Sequence, residues 1–248
     1  MKKIIALVAL CLANSYSVFG ASGNAIHPHV STFTLKLGAS RIIYVPETDG
    51  ATLTVENKQP FPILVRSRTV KEDKSTAAPF MVTPPLFRLE SGEQNRINIV
   101  RMDSEYAQDR EELYWLCVAG IPPEEAGTAG RMQGDNPTRT DVNMEVSMSN
   151  CIKLITRPSA VKGSPQDAMK EVVWRQHGNQ LIAENRSPFF MNVMNASIDG
   201  KAIDGVTYLS PYSSSSYPSP VSGGHDITWN IINDQGGLSP AVHSSPEH

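Results

Sequence analysis

Apolar and polar residues alternate with a period of two through much of this chain. Val142, Met144, Val146 and Met148 are apolar, and Asn143, Glu145, Ser147 and Ser149 between them are polar. That is the pattern of a strand with one face turned toward an apolar environment. Ile152 and Leu154 continue the parity after an exception at Asn150. Short runs of similar character recur at residues 32–37, 41–45, 51–56, 63–70, 80–83, 87–89, 95–101 and 113–119. In the fourth of these Ile63, Val65, Ser67 and Thr69 share a face; in 95–101 Ile97 and Ile99 are in register. Asn57-Lys58-Gln59-Pro60 and Ser91-Gly92-Glu93 read as turns, and Pro84-Pro85 must close the run before it, since proline cannot sit inside a central strand. No long segment carries a helical period. Strands at this spacing predict an antiparallel sandwich.

Residues 122–140 break the pattern. Pro122-Pro123, Glu124-Glu125, three glycines and Asp135-Asn136-Pro137 leave almost no large apolar side chain, which predicts a long loop. Beyond the strand at 141–157, Pro158 and the stretch 159–167 read as a linker. The strand grammar then repeats at 171–175, 180–185, 189–196, 207–209 and 226–232, with Ile198 ahead of an Asp199-Gly200 turn. Residues 212–224, rich in Ser, Pro and Gly, read as an exposed loop, and the tail after Gly237 as frayed.

The N-terminus changes the compartment. Lys2 and Lys3 precede a short apolar run from Ile4 to Ala13, and Val18 and Gly20 place small residues at a cleavage site. The run is too short to span a bilayer, which needs about 20 apolar residues. Residues 1–20 are therefore read as a signal peptide removed after Gly20. That removal takes the formal charge from −3 to −5. A mildly acidic chain without a basic stripe argues against nucleic acid as a partner. Two cysteines remain, Cys117 and Cys151. Export makes a disulfide the default for them, with two buried thiols as the alternative.

Candidate chemistry is sparse. His27 and His29 flank Pro28, and His177, His225, His243 and His248 are scattered without metal-ligand spacing. Ser214 to Ser216 lack the glycines of a nucleophile elbow, and no phosphate loop is present. No catalytic residue, metal or cofactor is expected.

The stretches Ser40-Arg41-Ile42-Ile43-Tyr44, Phe80-Met81-Val82-Thr83-Pro84-Pro85-Leu86-Phe87-Arg88-Leu89, Asp109-Arg110-Glu111-Glu112-Leu113-Tyr114-Trp115, Gly120-Ile121-Pro122-Pro123, Ile152-Lys153-Leu154-Ile155-Thr156-Arg157-Pro158 and Ile232-Asn233-Asp234-Gln235-Gly236-Gly237 carry a resemblance. In this order they resemble the periplasmic pilus-assembly chaperones of the chaperone–usher pathway. The resemblance implies an all-β fold of two immunoglobulin-like sandwiches set at an angle around a cleft. Residues 21–158 would form the first, with the donor strand, and 159–248 the second. It implies that Arg41 and Lys153 anchor the C-terminal carboxylate of a bound subunit, a task suited to a bidentate guanidinium and a point charge. Val142, Met144, Val146 and Met148 would be lent to a subunit that lacks its final strand. Glu111, Arg157 and Asp234 would form an inter-domain ion cluster.

The long loop and the cysteine pair resemble a long-loop subfamily, in which a Cys117–Cys151 bridge closes the base of the loop. The short segment before the first strand, from Ala21 to Val30, departs from it. The implied partners are fibre or pilus subunits and an outer-membrane usher, with self-association when unloaded left open. The rival reading is an exported adhesin or fibre subunit; the lack of a long alternating row between Ala21 and His29 counts against it.

Overall fold

The computed structural model describes residues 27–33, 35–123 and 141–247. The first half folds into strands β1 (His27–Phe33), β2 (Lys36–Leu37), β3 (Arg41–Tyr44), β4 (Ala51–Glu56), β5 (Ile63–Lys71), β6 (Phe80–Thr83), β7 (Leu86–Leu89), β8 (Gln94–Arg101), β9 (Glu112–Ile121), β10 (Asp141–Ser147) and β11 (Ser149–Thr156). One sheet runs β3-β11-β9-β5-β7 and the other β2-β4-β8-β6. Their inner faces meet in a core. Ile42, Tyr44, Ile63, Val65, Leu89, Leu116, Val118 and Leu154 come from one side, and Leu53, Val55, Phe80, Val82, Ile97 and Ile99 from the other. The alternation expected in β5 is realised, with Ile63, Val65, Ser67 and Thr69 buried between exposed Leu64, Arg66 and Arg68. Within the two sheets the pairing is antiparallel except between β3 and β11, which run parallel.

The second half contains β12 (Val172–His177), β13 (Gln180–Asn185), β14 (Val193–Ile198), β15 (Lys201–Ala202), β16 (Ser213–Pro218), β17 (Ile227–Ile231) and β18 (Val242–Ser244). Sheets β12-β13-β16 and β15-β14-β17-β18 enclose Trp174, Leu181, Val193, Ile198, Trp229 and Ile231. Trp174 and Trp229 meet edge to face at 6.2 Å.

Two segments depart from the sequence reading. The Ser-rich stretch expected to be a loop contains β16, which pairs with β13 from Gln180↔Pro218 to Asn185↔Ser213. Serines are poor strand formers on average, but here the ladder is made by backbone, and an edge strand with half-exposed side chains asks little of them. The tail expected to fray supplies β18, and the Glu247 amide donates to the Trp174 carbonyl at 2.9 Å.

The two sandwiches also share a corner. Glu56-Asn57-Lys58-Gln59-Pro60-Phe61 and Glu184-Asn185-Arg186-Ser187-Pro188-Phe189 are variants of one motif. Asn57 Nδ2 donates to the carbonyls of Phe61, Leu89 and Glu90 at 2.8–3.1 Å, and Asn185 Nδ2 to those of Phe189, Leu209 and Ser210 at 2.7–3.2 Å. Each amide is fully buried and satisfies a chain reversal that the ladder cannot reach.

Candidate functional site

The outer face of the β3-β11-β9 sheet organises the site. Side chains of opposite parity to the core point outward, and the register sets them in rows: Ile155 opposite Leu113, Lys153 opposite Trp115, Cys151 opposite Cys117. On the other side of β11, Lys153 stands opposite Arg41 and Ile155 opposite Ile43. The row nearest the second half is apolar. Leu113 and Ile155 pack against Phe190, with Ile43, Trp115 and Tyr208 around them. This seam joins the two sandwiches.

The seam is reinforced by ions. Arg157 Nε donates to Glu111 Oε1 at 2.6 Å, and its two terminal nitrogens donate to the Asp234 carboxylate at 2.7 Å each. Glu111 Oε2 accepts the Phe190 amide at 2.7 Å. Glu111, Arg157 and Asp234 thus meet across the interface, as a bidentate Arg fork with a second carboxylate behind it. Burial in the seam pushes the Glu111 carboxyl up to about 7, against the pull of Arg157.

One row outward lie the two cations. Arg41 Nη1 donates to the Ile232 carbonyl at 3.0 Å, and Lys153 Nζ donates to Asn192 Oδ1. Arg41 Nε is buried and has no hydrogen-bond partner among the described residues. Burial, with the nearby Arg41 and Lys74 charges adding to it, pulls the Lys153 ammonium down to about 8. Its Nζ lies 5.1 Å from the Tyr208 ring centroid and 5.9 Å from that of Trp115, and Lys74 covers the same Trp115 at 4.3 Å. Tyr208 and the Trp115 indole both donate to Glu72, to its carboxylate and its carbonyl. The result is a cationic spot between aromatic walls. Trp115, Tyr208 and Asn192 were not among the candidate residues. Trp115 lies in one of the stretches that carry the resemblance, but nothing local in the sequence marks Tyr208 or Asn192.

The next row is the Cys117–Cys151 disulfide, whose Cα atoms are 4.0 Å apart. Beyond it β11 loses its neighbour: pairing with β9 ends at Ser149↔Ala119. Chain continuity places β10 past that end, where it pairs in parallel with β1 from His27↔Asp141 to Phe33↔Ser147. Among the described residues β10 has no ladder partner on its other edge. Val142, Met144 and Val146 belong to β10, whereas Met148 falls at its junction with β11 and is exposed. Further in, the same parity carries Ile152 and Leu154 into the domain's own core. The segment before the first expected strand, read as short, includes β1 itself, which lies along β10. Most of the expected loop at 122–140 lies outside the described residues, as do residues 1–20, the expected signal peptide. Among the described residues no group of His, Cys, Asp and Glu could hold a metal ion.

Residues 34–162 match the family described as pili and flagellar-assembly chaperone, PapD N-terminal domain, and residues 167–243 match pili assembly chaperone PapD, C-terminal domain. The chaperone protein AggD of Escherichia coli is 37% identical over 241 residues, covering 96% of each chain. The chaperone protein PsaB of Yersinia pestis is 39% identical over 230 residues, covering 86% of this chain and 84% of its own. The E. coli chaperone DraB superposes with a TM-score of 0.78 at 40% identity, over 89% of this chain and all of the other. A chain from the complex of Salmonella enterica SafA pilin with the SafB chaperone gives the same values.

Proposed function

Because this chain belongs to the PapD-type pili assembly chaperones, we propose that it captures fibre or pilus subunits in the periplasm by lending them β10. A sandwich that lacks its last strand exposes both its core and its strand edges, and aggregates. The chaperone fills the gap with Val142, Met144 and Val146, Met148 marking the inner end of the row, and pairs its free backbone edge with the subunit. Arg41 and Lys153 receive the subunit's terminal carboxylate, which sets how far along β10 the subunit sits. Glu111, Arg157 and Asp234 hold the two domains, divided near Pro158, at the angle that forms the cleft. The disulfide keeps β11 beside β9 at the point where β10 departs. The loaded chaperone then delivers its subunit to an outer-membrane usher. A signal peptide at residues 1–20 directs its export and is removed after Gly20.

The observation that carries this reading is that, among the described residues, one edge of β10 is unpaired in a strand whose sequence alternates strictly between apolar and polar residues. An open edge on a strand of this length and pattern invites pairing with another chain. The fibre-subunit reading gains nothing from the structure, since both halves match chaperone domains. The test is Met144→Glu or Val146→Asp, with the subunit co-expressed in the periplasm. Folded, soluble variants that no longer co-purify with the subunit are expected. Undiminished co-purification overturns the reading.

A further inference from the structure

The two cations at the cleft are held from the second domain by neutral atoms. Lys153 Nζ donates to the side-chain oxygen of Asn192, and Arg41 Nη1 to the carbonyl of Ile232. These acceptors belong to one linked unit, because the Ile232 amide donates to the Asn192 carbonyl at 2.8 Å. Asn192 is only 5% exposed, and its Nδ2 faces the Phe190 carbonyl at 3.5 Å, which leaves Oδ1 turned to Lys153. The two carboxylates nearest Arg41, on Asp234 and Glu111, are already engaged by Arg157.

We propose that Asn192 is a positioning and specificity residue of the carboxylate anchor: its neutral oxygen holds the Lys153 ammonium at the cleft in the unloaded chaperone and yields it to an arriving carboxylate. The proposal rests on the reading of Arg41 and Lys153 as that anchor. Its logic is a ranking of partners. The ammonium's bond to the amide oxygen is charged on the donor side only, whereas a carboxylate adds an opposite full charge, so a free chain terminus displaces the amide. A neutral group offered by an internal peptide segment gains nothing by the exchange. An aspartate at this position would occupy Lys153 with a full charge and remove the advantage. A small apolar residue would leave the ammonium unheld between Trp115 and Tyr208.

The probe is a synthetic strand peptide of alternating valine and threonine with a free α-carboxylate, compared with the same peptide ending in an amide. Both are titrated into the mature protein. The wild type is expected to prefer the carboxylate form, and its Asn192 side-chain amide resonances are expected to move with that peptide only. Asn192→Asp is expected to lose about tenfold or more in affinity for the carboxylate form, with the preference collapsing. Its Lys153, followed by NMR, should titrate above the wild-type value of about 8. Asn192→Leu should keep the preference and titrate lower. An Asn192→Asp protein that binds within about twofold of wild type, or Asn192 resonances indifferent to the carboxylate, overturns the proposal. Arg41→Ala and Lys153→Ala separate the layers. If these bind like wild type, or if the wild type has no preference, the anchor itself falls. If they lose the preference while Asn192→Asp keeps it, only the role of Asn192 falls.

Discussion

Lys153 and Arg41 are direct register partners across the parallel pairing of β11 with β3, so two positive side chains sit side by side on one sheet face. Adjacent like charges, partly removed from water, are unfavourable for the fold. Under the proposed anchor role, the pair gives up stability of the unloaded protein for capture, and this can be measured.

Lys153→Met is expected to raise the melting temperature of the unloaded chaperone by about 2–6 °C, since replacing a desolvated charge by an apolar chain of similar length is worth on the order of 1–2 kcal/mol. The sign follows from linkage. Lys153 titrates lower in the folded chain, about 8, than its ordinary 10.5. Below pH 8 it is charged in both states and the folded state carries the full penalty, which fades as pH rises from 8 toward 10.5. The stabilisation by Met should therefore be largest below pH 8 and shrink above it, while subunit capture is lost throughout. Differential scanning calorimetry across pH 6–10 checks it.

Subunit affinity should fall as pH rises past about 8, because the unloaded Lys153 loses its proton there while a bound carboxylate favours keeping it. Loading then takes up a proton, and the loss approaches tenfold per pH unit at its steepest. Isothermal titration in buffers of different ionisation enthalpy reads that proton directly. Flat affinity between pH 7.5 and 9.5 would contradict the assignment.

Arg157→Ala should destabilise the protein by about 3–5 kcal/mol, the range for stranding one member of a buried ion pair. Glu111 is fully buried and would lose its counter-ion, whereas Asp234 remains partly solvated. Asp234→Asn should be milder, at about 1 kcal/mol. Urea unfolding followed in each domain separately is expected to show the two transitions drifting apart in Arg157→Ala.

Replacing both Cys117 and Cys151 by alanine should cost about 3–4 kcal/mol, from the chain entropy of a loop of this length; the two residues are 34 apart in sequence. Capture should weaken as well, since the bridge lies one row from the point where the pairing of β11 with β9 ends and β10 begins. Chemical denaturation and co-purification, with and without reductant, test the two effects separately.

The alternating code of residues 142–154 was enough to specify a strand and to sort its side chains into two faces, because side-chain direction along a strand has a fixed period. It was enough for the buried row of β5, and the cysteine count together with export pointed to a bridge. Local pattern could not say where the apolar row stops serving its own core. Leu154 lies inside that core, Ile152 packs against it and Met148 is exposed, a boundary set by where β11 stops pairing with β9 rather than by any residue in the row. Nor could it find β16 in a run of serines, whose strand state depends on β13 beside it. The cleft itself is built over long separations. Arg41 meets Ile232 across 191 residues, and Lys153 meets Asn192 only because Leu113, Ile155 and Phe190 seat the second sandwich against the first. Periodicity reports which way a side chain points; what it meets there depends on how distant segments pack.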